Sequence, residues 1–123
     1  MPITRFEDIE AWQIARELNR LVYKAVSKEK FFKDYGLRDQ VCRASVSIMA
    51  NIAEGFDAGS KAEFARFLAY SQRSCSELQS DIYVALDQKY ITEKEFDEIY
   101  SLAGKAKTKI GAFIKYLKRE ARR

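Results

Sequence analysis

The sequence predicts an all-α protein, an up-down antiparallel four-helix bundle formed by one domain of 123 residues. Apolar residues recur at three- and four-residue spacing through most of the chain, which is the period of an amphipathic helix. One proline and five glycines are too few for a turn-rich β protein. Because the segments between the periodic stretches are very short, helices that follow one another in sequence must run antiparallel.

The first helix is predicted over residues 5–27. Thr4 and Glu7 have the spacing of a capping box, and the apolar side chains after them recur at helical spacing. The second helix is predicted over residues 37–56, after a break at Gly36. Its apolar face consists of Leu37, Val41, Ala44, Ile48 and Ile52.

Capping boxes also begin the last two helices, which are predicted over residues 61–89 and 93–120. These boxes are Ser60 with Glu63 and Thr92 with Glu95. The third helix repeats apolar and small residues in a heptad pattern, which indicates a closely packed seam. The fourth helix has a wide apolar stripe and a polar face that is rich in lysine and arginine.

The second helix contains an unusual stretch, in which Asn51 and Glu54 stand one turn apart among small apolar residues. Our preferred interpretation is structural, because buried polar side chains can fix the register of packed helices. Gly55 would then be required because another backbone or a turn comes close. The alternative is a polar floor for a ligand or an RNA base.

Histidine is absent from the sequence, which removes the most frequent general base and metal ligand. We therefore expect a protein that is not an enzyme and that needs no metal or cofactor. A carboxylate-based enzyme is the remaining catalytic possibility, and the acids nearest to predicted buried faces are Glu54, Glu77 and Asp81. Cys42 and Cys75 lack the spacing of zinc ligands, so we expect free thiols in a reducing cytoplasm. No apolar run is long enough to span a bilayer.

The net charge of +4 is distributed unevenly along the chain. Residues 104–123 contain eight basic residues and one acid, a sum of +7, so residues 1–103 sum to −3. A cluster of one sign steers association with polyanions such as nucleic acid, although a solvated helix face that only confers solubility is the alternative. The predicted nucleic-acid-binding residues are Lys105, Lys109, Lys115, Lys118, Arg119, Arg122 and Arg123.

Several large side chains lie off the predicted core faces. Aromatic side chains in such positions are typical of protein interfaces and, less often, of platforms on which bases stack. We predict that they form the contact between copies in a homo-oligomer. The residues are Ile9, Trp12, Tyr23 and Tyr70.

Several motifs resemble those of the four-helix-bundle proteins encoded in intervening sequences of bacterial 23S ribosomal RNA genes. They are Phe6 to Gln13, Gly36-Leu37 with Gln40, Arg43 to Ile48, Asn51 to Phe56, Ser60 with Glu63-Phe64, Phe67-Leu68 and Ser76 to Leu78. The resemblance implies an up-down bundle similar to the accessory protein of diversity-generating retroelements. That protein is a five-membered ring with a basic surface for nucleic acid and a reverse transcriptase.

Two departures from the family pattern concern the second helix. Met49 stands where the family usually has proline, and Phe31-Phe32-Lys33 replaces a Phe-Pro pair before the helix. We therefore expect this helix to be straighter than in its relatives.

The leading hypothesis is a non-catalytic cytoplasmic homopentamer that binds nucleic acid through its basic last helix. Structured RNA is the expected ligand, bound largely without regard to sequence. The alternative is a protein-interaction scaffold that uses the Trp12 and Tyr23 side of the first helix and does not bind nucleic acid.

Overall fold

The computed structural model describes residues 3–122, and within that range it contains helices and no strand. A short 3-10 helix, Phe6–Asp8, precedes five α-helices. These are α1 (Glu10–Val26), α2 (Glu29–Lys33), α3 (Tyr35–Phe56), α4 (Lys61–Asp87) and α5 (Glu93–Ala121). The prediction of an all-α chain is confirmed.

The first long helix begins later than predicted, at Glu10 and not at residue 5. The predicted capping box does not form, because the Thr4 hydroxyl donates to Asp8 Oδ2 at 3.3 Å. Ile9 then takes an extended conformation and is buried, with 2% of its surface exposed. The start of α1 is thus fixed by burial of Ile9, since no side chain caps it.

The second long helix begins at Tyr35, two residues before the predicted start. The Asp34 side chain caps it by accepting a hydrogen bond from the Leu37 backbone N–H at 3.2 Å. Gly36 consequently lies inside the first turn and does not interrupt the helix. The helix also continues through Met49 to Phe56.

The connection between α1 and α3 contains α2, which the sequence pattern did not predict. Phe31 anchors this helix in the core, where its ring is fully buried and stacks on Tyr90 with 5.4 Å between centroids. The Tyr90 hydroxyl donates to Asp34 Oδ2 at 2.9 Å. Burial of one aromatic side chain therefore holds a five-residue helix that would not be stable alone.

Of the two predicted capping boxes, the one at Thr92 forms completely, whereas the one at Ser60 forms only its serine half. The Ser60 hydroxyl accepts from the Glu63 backbone N–H at 3.1 Å, and Thr92 forms a complete capping box with Glu95. α4 ends two residues before its predicted end, because Lys89 takes a left-handed conformation with φ of 61°. Left-handed residues of this kind terminate helices.

The four long helices share one core. α1 packs against α3 and α5, and α4 packs against the same two helices. Large fully buried side chains fill the interior, among them Leu18, Ile48, Ile52, Leu68, Leu78, Ile82 and Ile110. Within residues 3–122, none of the helices combines the length and apolar character that crossing a bilayer requires.

Candidate nucleic-acid interface

The basic residues of α5 lie on its outer face. The inner face consists of Phe96, Ile99, Ala103, Ala106, Ile110 and Leu117, which are buried. Six of the predicted nucleic-acid-binding residues are exposed: Lys105, Lys109, Lys115, Lys118, Arg119 and Arg122. The seventh, Arg123, lies outside the described residues. The structure therefore places these six basic side chains on the solvent-exposed side of one helix.

Among these six basic residues, only one forms an ion pair with an acidic residue that the structure describes. Lys109 Nζ lies 3.2 Å from Glu10 Oε1, which links α5 to the start of α1. The other five form no ion pair within residues 3–122. The two ends of α5 carry opposite charges, because Glu93 and Glu95 lie in its first turn and basic residues lie in its last turn. This arrangement complements the helix dipole.

The predicted oligomer contacts fall into three groups: exposed, buried and half-buried. Tyr23 and Tyr70 are 47% and 37% exposed, so their rings are accessible. Ile9 was placed wrongly, because it is buried in the core of its own chain. Trp12 is half-buried, packed edge-on against Phe6 with 5.2 Å between ring centroids.

Asn51 and Glu54 behave differently from each other. Asn51 Nδ2 donates to the Ser47 carbonyl oxygen at 2.9 Å and to Ser47 Oγ at 3.0 Å, within the same helix. Ser74 Oγ of α4 donates to that same Ser47 Oγ at 2.9 Å, so Asn51 reaches α4 only through Ser47. Glu54 is exposed and has no partner among the described residues, so the prediction that it fixes helix register is wrong.

Gly55 marks the closest approach of α3 to α4. A Cβ atom at this position would lie 2.8 Å from Phe64 Cδ1 and 2.9 Å from Phe67 Cβ. Both distances are shorter than ordinary van der Waals contact. Gly55 therefore has a close neighbour, but this neighbour is a pair of aromatic side chains and not the backbone or turn that was predicted.

The three acids that a carboxylate-based enzyme would need do not converge in one enclosed site. Glu54 and Glu77 are exposed, whereas Asp81 is 8% exposed. Asp81 Oδ1 accepts from Gln40 Nε2 at 3.0 Å, and Oδ2 has no partner. Burial, together with the nearby charge of Glu77, raises the pKa of Asp81 although the Gln40 bond opposes this change. No group of three potential metal ligands occurs within residues 3–122.

Both thiols are free, as predicted. Cys75 is fully buried, and burial raises its pKa to about 12. Cys42 is partly exposed and lies beside Tyr23. Burial raises the pKa of the Cys42 thiol, while a hydrogen bond with Tyr23 lowers it. Neither environment is the electropositive one that activates a cysteine nucleophile.

Sequence reasoning missed two exposed clusters in which arginine packs on aromatic rings. Arg66 Cζ and Arg73 Cζ lie 5.9 Å and 5.0 Å from the ring centroid of Tyr70. Spacings of four and three residues from a tyrosine on one helix were the signal that could have identified them. The second cluster combines Arg38 with Phe32 and Tyr35, at 4.5 Å and 4.9 Å from the respective ring centroids.

These features define a small all-α protein with an exposed basic C-terminal helix. The chain belongs to the family of 23S rRNA-intervening sequence proteins, whose family model matches residues 7–112. A crystal structure of a protein with unknown function from the S23 ribosomal protein family of Bacteroides thetaiotaomicron VPI-5482 is similar to it, with 25% identity and a TM-score of 0.78. The match covers 85% of this chain and 98% of that one. No curated protein matches. The resemblance drawn from the sequence motifs is confirmed.

Proposed function

We propose that the protein is a non-catalytic homo-oligomer that binds nucleic acid, structured RNA in particular, through the basic end of α5. One observation supports this proposal above the others. Lys105, Lys115, Lys118, Arg119 and Arg122 are exposed and form no ion pair with any described acid. A helix face that is merely solvated usually mixes charges of both signs.

The chemistry of this surface favours phosphate contacts. Lysine and arginine side chains on one helix face neutralise phosphates and release their counterions, so affinity falls as salt increases. Phosphate contacts position a nucleic acid without specifying its sequence. The protein is therefore expected to bind many RNA sequences with similar affinity.

We further propose the up-down antiparallel bundle as the architecture. The contacts between helices support it, because residue numbers rise along one helix as they fall along the next. Gln40 pairs with Asp81 and the Ile48 carbonyl oxygen with Ser71, between α3 and α4. The same order relates α4 to α5, where Gln72 reaches Lys107 and Gln79 reaches Tyr100.

A ring of five copies is the assembly that we propose, on the basis of the resemblance described above. The exposed Tyr23 and the half-buried Trp12 on α1 are the side chains available for the contact between copies. Light scattering on the purified protein tests this part directly. A mass near 14.3 kDa, the mass of one chain, would contradict it.

The test of nucleic-acid binding compares two variants with the same loss of charge. The first carries Lys115→Ser, Lys118→Ser and Arg119→Ser. The control carries Lys24→Ser, Lys30→Ser and Lys94→Ser, which remove exposed lysines that belong to other helices or to the acidic end of α5. Affinity for a labelled RNA hairpin is measured over a range of salt concentrations.

We expect the first variant to bind more weakly than the control. Each lost phosphate contact should reduce the slope of log affinity against log salt by about 0.7 to 0.9. An affinity that does not change with salt, or one that the α5 substitutions leave intact, would overturn the proposal.

The second candidate function is a protein-interaction scaffold, which the cluster of Phe32, Tyr35 and Arg38 favours. Tyr35 is 63% exposed and Phe32 is 50% exposed, with the Arg38 guanidinium against both rings. Tyrosine and arginine dominate the energetics of protein interfaces. A co-purified protein, without the 260 nm absorbance of RNA, would support the scaffold over the nucleic-acid binder.

A further inference from the structure

We propose that the outer face of α3 and α4 binds an unpaired RNA base, with Tyr70 as the stacking platform and Asn51 as the hydrogen-bonding group. This inference rests on the proposed function. It adds a surface for single-stranded RNA, separate from the basic face of α5.

Tyr70 and its two arginines provide the platform. The ring is 37% exposed, and the guanidinium groups of Arg66 and Arg73 lie within 6 Å of its centroid. Arg73 has no ion pair within the described residues, and Arg66 has only a long contact of 3.7 Å with Glu63. Unpaired bases stack on tyrosine rings and on guanidinium planes, and the same arginines can contact the flanking phosphates.

The platform is held by the packing of α3 on α4. The Phe67 ring meets the Tyr70 ring at 90°, with 6.1 Å between centroids. Phe67 Cβ in turn lies against Gly55, where no side chain intervenes. Tyr70 therefore stands on a rigid helix and is supported from below by a ring that Gly55 allows close to α3.

Asn51 lies at the same level as Tyr70 on the neighbouring helix. Along α3, the contact of Ser47 with Ser74 lies before this level and the contact of Gly55 with Phe67 lies after it. The Ser47 carbonyl oxygen can only accept, which fixes the orientation of the Asn51 amide.

The free atom of that amide is its oxygen. Asn51 Oδ1 accepts no hydrogen bond from the described residues and is not among their buried polar atoms. It is therefore an open acceptor for the exocyclic amine of adenine, cytosine or guanine.

A concave surface continues from this point. A groove of about 690 Å³ has Ser47 and Ser74 in its lining, together with Arg43 and Glu77. The contact between Ser47 and Ser74 thus belongs both to the groove and to the network that holds Asn51. Arg43 is opposed in this lining by Asp39 and Glu77, so the groove adds a polar surface beside the platform but no net positive charge.

The test uses two kinds of labelled probe, single-stranded RNAs of twelve nucleotides (oligoadenylate and oligouridylate) and a blunt-ended, fully paired RNA duplex. Fluorescence anisotropy compares the wild type with Tyr70→Ala, Tyr70→Phe and Asn51→Ala. The matched control is Tyr83→Ala, which removes another exposed tyrosine of α4. Circular dichroism and light scattering on each variant verify the fold and the oligomeric state.

We expect Tyr70→Ala to weaken binding of the oligoadenylate by roughly 5- to 150-fold, the range for loss of one stacked base. Tyr70→Phe should stay within about twofold of the wild type, because the ring remains. Asn51→Ala should reduce the preference for oligoadenylate over oligouridylate. Binding of the duplex should be unaffected by all three substitutions.

Three other results would overturn the inference, and they are distinguishable. Salt-dependent binding of the duplex, with oligoadenylate affinity unchanged by Tyr70→Ala, would leave the proposed function intact and remove this site. Failure of the wild type to bind either RNA would remove both. A change of oligomeric state in Tyr70→Ala, with unchanged RNA affinity, would assign the face to a contact between copies of the chain.

Discussion

Gly55 of α3 lies so close to Phe67 of α4 that a methyl group on Gly55 would approach Phe67 Cβ to 2.9 Å. The same methyl group would stand 2.8 Å from the ring of Phe64. The first of these neighbours is the root of a side chain, which cannot move unless α4 moves with it. The separation of the two helices at this level is therefore set by the absence of a side chain at one position.

Gly55→Ala is expected to reduce the free energy of unfolding by about 1 to 3 kcal/mol, the usual cost of overpacking. The control is Gly36→Ala, also within α3, where a Cβ would meet no atom within 4 Å. That substitution should stabilise the protein by up to about 1 kcal/mol, because alanine favours the helix. Urea unfolding of both variants checks the prediction, and equal stabilities would contradict it.

Asp81→Asn is expected to stabilise the protein at pH 7 by about 1 kcal/mol, because it removes a buried charge that has only one hydrogen bond. Since burial raises the pKa of Asp81, the folded protein binds this proton more tightly than the unfolded chain does. As the pH falls below the raised pKa toward the usual pKa of aspartate, Asp81 becomes protonated in the folded protein, and the cost of burying its charge disappears.

The advantage of Asp81→Asn should accordingly shrink as the medium becomes acidic. Denaturant unfolding at several pH values measures this trend. Glu54→Gln is the control, because Glu54 is exposed and has no partner among residues 3–122. It should change stability by less than about 0.5 kcal/mol. An advantage of Asp81→Asn that grows toward acid pH would show that the carboxylate is stabilised in the fold.

Thr92→Ala is expected to cost about 1 kcal/mol, since it removes the side chain that caps α5 through the Glu95 backbone N–H at 3.1 Å. Thr108→Ala serves for comparison, because Thr108 is exposed in the middle of the same helix. It should be neutral or slightly stabilising. Thermal unfolding distinguishes the two, and a similar effect of both would mean that the cap contributes nothing.

Thiol reagents should distinguish the two cysteines. Cys75 is fully buried with a pKa of about 12, so only about one molecule in ten thousand carries its thiolate at pH 8. Cys42 is partly exposed, although its raised pKa should make it slower than a free cysteine. Mass spectrometry should find one modified thiol in the folded protein and two in urea. Equal rates in the folded state would contradict the burial of Cys75.

The sequence pattern predicted the caps of α4 and α5 because both depend on residues three positions apart. The same spacing at Thr4 and Glu7 gave a wrong start for α1, because burial of Ile9 determines where this helix begins. The sequence pattern did not predict α2, because this helix is held by the packing of Phe31 on Tyr90, two residues that are far apart in sequence. Local spacing thus predicts where a chain can cap a helix, and tertiary burial decides where it does so.

The candidate sites followed the same division. The helical period places the lysine and arginine side chains of α5 opposite its apolar stripe, so their exposure could be predicted. The setting of Tyr70 could be predicted only in part. Its arginine neighbours follow from spacing along α4, but its level beside Asn51 depends on how two helices register. Glu54 was misplaced because it lies one residue, about 100° of helix rotation, from the buried Gly55 and so faces solvent.

The contacts of α1 with α5 also have a kinetic consequence. Lys28, which follows α1 and precedes α2, pairs with Glu95 of α5 across 67 positions, whereas Ser71 reaches Ile48 across only 23. Ser45 of α3 reaches Asn19 of α1 across only 26 positions. Closing the longest loop costs the most chain entropy, so the hairpins α1–α3, α3–α4 and α4–α5 should form before α1 docks on α5. We expect substitutions in the contact between α1 and α5 to accelerate unfolding and to leave the folding rate nearly unchanged, a pattern that stopped-flow chevron measurements can test.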